Sequence, residues 1–265
     1  MDGYTLTWRL RFGDAVIGGS LLRPDILGRR GGLESTSLPF NGSYLRLGEL
    51  FHVTGSPGST LTIRAEAGRR LPPIDNLGAR MQRGQLIIEG DAGDDLGASM
   101  SGGTIRVTGN AGHRAGGPHP ASKRGMTGGE IIIEGDAGDH AGLLMRRGLI
   151  AVRGKCGASP GYRMLAGTVV AGHTKTAESQ DIDHPGLQMQ RGTILCLDPS
   201  ATLHTGPNFA PGSTIDAGAM PALLAALRRV PWADVKQLSR GRWKMHVGDA
   251  LEQNKGEVMQ WLSGT

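Results

Sequence analysis

Residues 81–93, MQRGQLIIEGDAG, decide the fold of this chain, because the sequence returns to this pattern along much of its length. The copies are MSGGTIRVTGNAG at 100–112, MTGGEIIIEGDAG at 126–138 and MRRGLIAVRGKCG at 145–157, with weaker ones at 164–172 and 189–197 and a degenerate one at 50–55. Self-similarity at a fixed period indicates structural units that stack on their neighbours.

The spacing of the methionines sets the length of the unit. Met81 and Met100 are 19 residues apart, as are Met126 and Met145, and the two longer gaps equal 19 residues plus insertions of 7 and 6. Insertions that leave both neighbouring copies intact are typical of loops at one corner of a stack. The unit is too short for a propeller blade and lacks the leucine pattern of a leucine-rich repeat.

Each unit contains one strand between glycines. Ile105 and Val107 alternate with polar residues, which is the period of a half-buried strand. Gly103 and Gly109 flank this strand, and glycine adopts the positive φ angles that sharp corners need. The sequence therefore predicts an all-β fold, namely a parallel β-helix (solenoid) of about 19-residue coils with an N-terminal strand cap and a small mixed C-terminal extension.

Stacked coils would place equivalent side chains above one another, because paired strands lie about 4.8 Å apart. The predicted core ladder consists of the methionine that opens each unit: Met81, Met100, Met126, Met145, Met164 and Met189. The predicted domain boundaries are an N-terminal cap at 1–40, a repeat domain at 41–215 and a C-terminal docking extension at 216–265.

Composition narrows the classes of function. The chain has 265 residues, a net charge of +5 and only 4% aromatic residues. A basic balance suits an acidic ligand or partner, whereas so few aromatic side chains disfavour single-stranded nucleic acid. No apolar run approaches the ~20 residues of a membrane span, and the N-terminus lacks a signal-peptide pattern. With only two cysteines, we expect a cytoplasmic protein without nucleic-acid or membrane partners.

The sequence predicts neither a catalytic residue nor a metal site, since the common catalytic motifs are missing. His113, His119 and His140 could bind a metal at one corner, but solvated corner residues are the favoured interpretation. Both Cys156 and Cys196 align with core positions, which predicts inert thiols.

Acidic residues recur in the corner after the strand. They could act as general acid and base, yet acids at turns more often accept hydrogen bonds from backbone N–H groups. The turn role is therefore the favoured interpretation for the acids of the Gly-Asp-Ala-Gly-Asp corners: Asp91, Asp94, Asp95, Asp136 and Asp139.

The corner before each strand is basic instead. Two interpretations stay open: ordinary solvated charges, or an edge that attracts an acidic partner or a polyanionic ligand. The predicted ligand or partner edge consists of the cations of this basic corner: Arg80, Arg83, Lys123, Arg124, Arg146, Arg147, Arg163 and Arg191.

Several segments resemble one family. The repeat is similar to the GXGXG β-helix domain, which is found in the glutamate synthase large subunit and makes up the third subunit of formylmethanofuran dehydrogenase. This third subunit is the better match, because the chain also has its LPFNG at 38–42, LGELFHV at 47–53, GGPHPASKRGMTGGEI at 116–131 and VGDALEQNKGEV at 247–258. The resemblance covers most of the chain.

This resemblance implies a place in one-carbon metabolism. The family's complexes either make formylmethanofuran or, in the bacterial formyltransferase/hydrolase complex, transfer a formyl group to a methanofuran-like (methylofuran-type) carrier and hydrolyse it to formate. It implies that this chain is a non-catalytic scaffold subunit without a cofactor of its own, and that partner subunits carry metal and the carrier. The carrier's polyglutamate chain would then be a polyanionic ligand for the basic corner.

Two other functions stay open from the sequence. One is a glutamate synthase-like structural domain. The other is an independent β-helix enzyme, such as an acyltransferase or a polysaccharide lyase, which would need a line of carboxylates or a histidine with a hexapeptide repeat. Association distinguishes them, because a heteromeric complex favours the scaffold subunit and a homotrimer favours the acyltransferase.

Overall fold

The computed structural model describes residues 3–10, 17–27, 32–172, 181–210 and 212–262. Part of the N-terminal stretch on which the signal-peptide prediction rests, residues 1–2 and 11–14, lies outside this description.

Short strands dominate the described chain. The strands are Gly3–Trp8 (β1), Ile17–Gly18 (β2), Ser37–Phe40 (β3), Ser43–Arg46 (β4), Phe51–Gly55 (β5), Thr60–Ala65 (β6), Ile74–Asp75 (β7), Gln85–Glu89 (β8), Thr104–Val107 (β9), Glu130–Ile133 (β10), Leu149–Val152 (β11), Thr168–Ala171 (β12), Asp181–Asp183 (β13), Arg191–Cys196 (β14), Thr202–His204 (β15), Thr214–Asp216 (β16), Arg242–Gly248 (β17) and Lys255–Leu262 (β18). The helices are Pro24–Leu27 (α1), Leu47–Leu50 (α2), Pro221–Leu227 (α3) and Val235–Leu238 (α4), with 3-10 turns at Leu33–Ser35, Ala217–Ala219 and Ala250–Glu252.

Twelve strands form one mixed sheet in the order β16-β17-β18-β14-β12-β11-β10-β9-β8-β6-β1-β5. Its central strands are parallel and in register, so that Ile105 pairs with Leu86 on one side and with Ile131 on the other. Both ends are antiparallel, through β1 with β5 and through β16, β17 and β18. The other sheets are small, with orders β4-β3-β2-β7 and β13-β15.

The predicted parallel β-helix is wrong, because the strands form this mixed sheet of parallel and antiparallel strands and not a closed solenoid. The physical reason lies in the second half of each unit, where glycines and aspartates form turns. In the described units, β-pairing there is limited to short stretches, namely single-residue bridges such as Ala111 with Ala137 and the three-residue pairing of β13 with β15. The terminal segments also fold back as antiparallel strands, which the repeat does not specify.

The sheet carries an apolar cluster on each face. In β10, Ile131 and Ile133 point to the cluster that contains the methionines, and Ile132 points to a second cluster with Trp243 and Trp261. The C-terminal segment therefore covers the outer face of β10, β11, β12 and β14. Strands buried on both faces become continuously apolar, as in EIII and LIAV, whereas the outward Arg106 of β9 stays exposed.

The methionine of each unit packs against the glycine that precedes the next strand. All six repeat methionines are fully buried. A β-carbon placed on Gly129 would lie 2.6 Å from Met100 Cε and 2.7 Å from the Gly103 carbonyl oxygen. The glycines before the neighbouring strands have similar contacts, with the Cε atoms of Met81 and Met126 against Gly103 and Gly148. The Met-x-x-Gly pattern therefore reflects a contact between the methionine of one unit and the glycine of the next unit.

We expect Gly129→Ala to destabilise the fold by about 1–3 kcal/mol more than Gly68→Ala, because it adds an overpacking clash. Both glycines have positive φ, 91° and 78°, but nothing lies within 4 Å of a β-carbon at Gly68. Chemical denaturation of both variants measures the difference. Equal losses in the free energy of unfolding would contradict the packing role of Gly129.

Candidate functional site

The acids of the corner after the strand hold consecutive units together. Asp94 Oδ1 accepts a hydrogen bond from the His113 backbone N–H (2.8 Å), and His113 Nδ1 accepts one from the Asp139 N–H (3.0 Å). Asp139 Oδ1 in turn accepts one from the Ala158 N–H (2.8 Å). The predicted turn role of Asp94 and Asp139 is therefore confirmed.

A second ladder runs beside the first. Asp91 Oδ1 accepts from the Asn110 N–H (2.8 Å), Asn110 Oδ1 from the Asp136 N–H (2.8 Å), and Asp136 Oδ1 from the Lys155 N–H (2.7 Å). An amide takes the same place as two carboxylates here. This position therefore needs an acceptor oxygen and no ionisable group.

Arg114 neutralises the remaining acids of this corner. Its guanidinium Nε donates to Asp95 Oδ1 (2.8 Å), and one Nη donates to Asp94 Oδ2 (3.1 Å). These contacts with Asp95, opposed by some burial, raise the pKa of Arg114 further above its ordinary range. The acidic corner is thus internally paired.

The three histidines singled out in the sequence do not converge. His113 belongs to the first ladder, the His119 N–H donates to Ser99 Oγ (2.9 Å), and His140 packs against the Tyr162 ring at 5.6 Å. The part of the chain that the structure describes contains no group of three or more side chains suited to holding a metal.

Both thiols are buried in the core. Desolvation raises the pKa of Cys156 and that of Cys196 to about 12, from an ordinary value of 9.0. A protonated, inaccessible thiol is neither a nucleophile nor a metal ligand at neutral pH.

The eight cations of the basic corner all have exposed side chains. None of them makes an ion pair with another residue in the described ranges. The insertion that carries Lys123 and Arg124 contacts the turn that carries Arg146 and Arg147, since the Gly125 N–H donates to the Leu144 carbonyl (3.1 Å) and the Arg146 N–H to the Met126 carbonyl (2.9 Å). The two corners therefore differ within the described residues, because the acids are paired with other groups of the protein, whereas the cations form no ion pair there and can attract an anionic partner.

Sequence reasoning missed two features, one in the basic corner and one at the opposite end of the strands. Lys255 is exposed and pairs in register with Arg191, so it extends the basic corner by one strand. A groove of about 650 Å³ lies between the C-terminal segment and the sheet, with the Glu134–Arg153 ion pair (3.1 Å) and Trp232 in its walls. Neither feature has a signal in the repeat, because both depend on where the C-terminal segment packs.

No helix in the described ranges could cross a membrane, since the longest of them, α3, has 7 residues.

We expect Asp136→Asn to leave stability almost unchanged and Asp136→Ala to lower it by about 1 kcal/mol, because only alanine removes the acceptor for the Lys155 N–H. Thermal denaturation of the two variants measures this difference. A loss with asparagine as large as that with alanine would show that the charge matters and not the hydrogen bond.

Burial of Cys156 predicts a dependence of stability on alkaline pH. The unfolded thiol loses its proton near pH 9, while the folded thiol keeps it to about pH 12, so stability should fall as pH rises through this window. The slope from one such thiol is at most about 1.4 kcal/mol per pH unit. We expect Cys156→Ala, the residue found at the equivalent positions 92, 111 and 137, to reduce this slope in denaturation curves from pH 8 to 10.5. Parallel curves for both proteins would contradict it.

The structure described above can be compared with those of known proteins. No protein-family model matches the sequence. No curated protein matches it either. The chain is similar to a chain in the crystal structure of the formyltransferase/hydrolase complex (FhcABCD) from Methylorubrum extorquens, solved in complex with methylofuran. The TM-score is 0.73 and the sequence identity 28%, over 97% of this chain and 98% of the other. The likeness therefore extends over essentially the full length of both chains.

Proposed function

We propose that this chain is a non-catalytic scaffold subunit of a multisubunit complex of one-carbon metabolism, of the formyltransferase/hydrolase kind. The observation that carries the proposal is the likeness to a chain of that complex over 97% of this sequence at 28% identity. On the basis of the family resemblance, we propose that the chain takes the place of the third subunit in such a complex.

The chemistry of the side chains supports a structural role. Asp91, Asp94, Asp136 and Asp139 are engaged in hydrogen bonds between units, and an asparagine serves equally well in one of these ladders. Acids and bases that hold the backbone are poorly placed to exchange protons with a substrate. In this proposal the metal and the methanofuran-type carrier belong to partner subunits.

The basic corner is the face that we assign to those partners. Its cations lack partners within the described chain, and free cations attract acidic surfaces or polyanions and accelerate their association. We place its centre at Lys123, Arg124, Arg146 and Arg147, since backbone hydrogen bonds join the insertion that carries two of them to the turn that carries the other two.

The test is to isolate the full-length tagged chain from its source cells and to analyse it by native mass spectrometry and formyl-transfer assays. We expect a heteromeric complex that transfers and hydrolyses formyl groups, and no turnover by the chain alone. A solitary chain that turns over a substrate, or a homotrimer, would overturn the proposal.

Charge reversal tests the basic corner within the same complex. We expect the variant with Lys123, Arg124, Arg146 and Arg147 changed to Glu to lower subunit association or formyl transfer by roughly tenfold or more, since rim charges set association. Arg106→Glu is the matched control, because Arg106 is exposed on the strand β9 and away from the corner. Unchanged assembly and kinetics in the fourfold variant would rule out this face.

A further inference from the structure

The turn between β17 and β18 presents an apolar side chain to solvent. Leu251 is 79% exposed, more than Tyr44 at 71% or Leu21 at 37%, the other large apolar residues on the described surface. A single exposed leucine is ordinary by itself. The surroundings of Leu251 set it apart.

Hydrogen bonds to two other segments fasten this turn. Asp249 is 1% exposed, and its carboxylate accepts from the Leu251 N–H and from the Gln188 N–H, each at 3.1 Å. The Ala250 N–H donates to the Asn208 carbonyl at 3.0 Å. Leu251 is therefore held on a rigid support, which reduces the conformational entropy lost when a partner binds.

The same turn lies at the C-terminal end of the basic corner. Arg191 and Lys255 are neighbours in register on β14 and β18, and Lys255 is four positions from Leu251 in the chain. The Arg163 N–H donates to the Leu187 carbonyl (2.9 Å), next to the Gln188 that Asp249 binds. Backbone contacts thus place three exposed cations on the strands and turns next to the turn that carries Leu251.

We propose that this surface, Leu251 with Arg163, Arg191 and Lys255, docks into an apolar socket that is ringed by carboxylates on another protein subunit. The inference rests on the proposed function and names the chemistry of the partner. A protein partner explains both parts of the surface, because the leucine gains from burial in a socket and the cations gain from acidic neighbours. A polyanionic carrier would explain the exposed cations but not the exposed leucine.

The experiment compares complexes isolated from the source cells with full-length tagged chains. We expect Leu251→Asp to weaken retention of a partner subunit by roughly tenfold or more, measured by native mass spectrometry over a dilution series. Tyr44→Asp, at a similarly exposed position outside the 12-stranded sheet, should retain the partner as the wild type does. Thermal unfolding of both variants checks that the fold is intact.

The outcomes separate this inference from the function on which it rests. Normal subunit retention by Leu251→Asp overturns the docking surface and leaves the scaffold function standing. Loss of the partner on reversing Arg191 and Lys255 but not on changing Leu251 also overturns it, and points to a polyanionic ligand. A wild-type chain that isolates alone overturns both proposals.

Discussion

Backbone hydrogen bonds between equivalent positions of consecutive units hold this structure together. They run through the strands, where the Thr104 N–H donates to the Gly84 carbonyl, and through the turns, where the Gly116 N–H donates to the Leu96 carbonyl. A single unit of one short strand and a turn cannot bury its own apolar side chains, so each depends on its neighbours for stability. The other interactions follow this register.

The methionines and the acids of the repeat stabilise the register between units, whereas the cations do not contribute to it. Methionines such as Met100 fill the space that Gly129 leaves open, and acids such as Asp94 accept hydrogen bonds from the next unit. The cations before the strands take no part in these contacts. Within the described chain, the acids of one corner are thus paired while the cations of the other form no ion pair, and this is why we place partners at the basic corner.

The repeat identified the strands and the turn role of acids such as Asp94 correctly, but its extrapolation to a closed solenoid was wrong. The alternation of apolar and polar residues around Ile105 and Val107 indicates a strand. The 19-residue period indicates only that equivalent residues of consecutive units lie close together. Neither specifies whether the remaining residues of a unit form strands or turns. The candidate surface was predicted in part, since the eight cations were named from the sequence, while Lys255 and Leu251 were not.

The sequence by itself determined the unit, its register and the chemistry at each corner, because these depend on residues a fixed distance apart in the chain. Only the tertiary structure decided that the terminal segments add antiparallel strands, that 217–261 covers the outer face of the sheet, and that Lys255 pairs with Arg191. The physical reason is that these contacts join segments outside the repeat, whose pairing is set by burial of apolar surface and not by any periodic pattern.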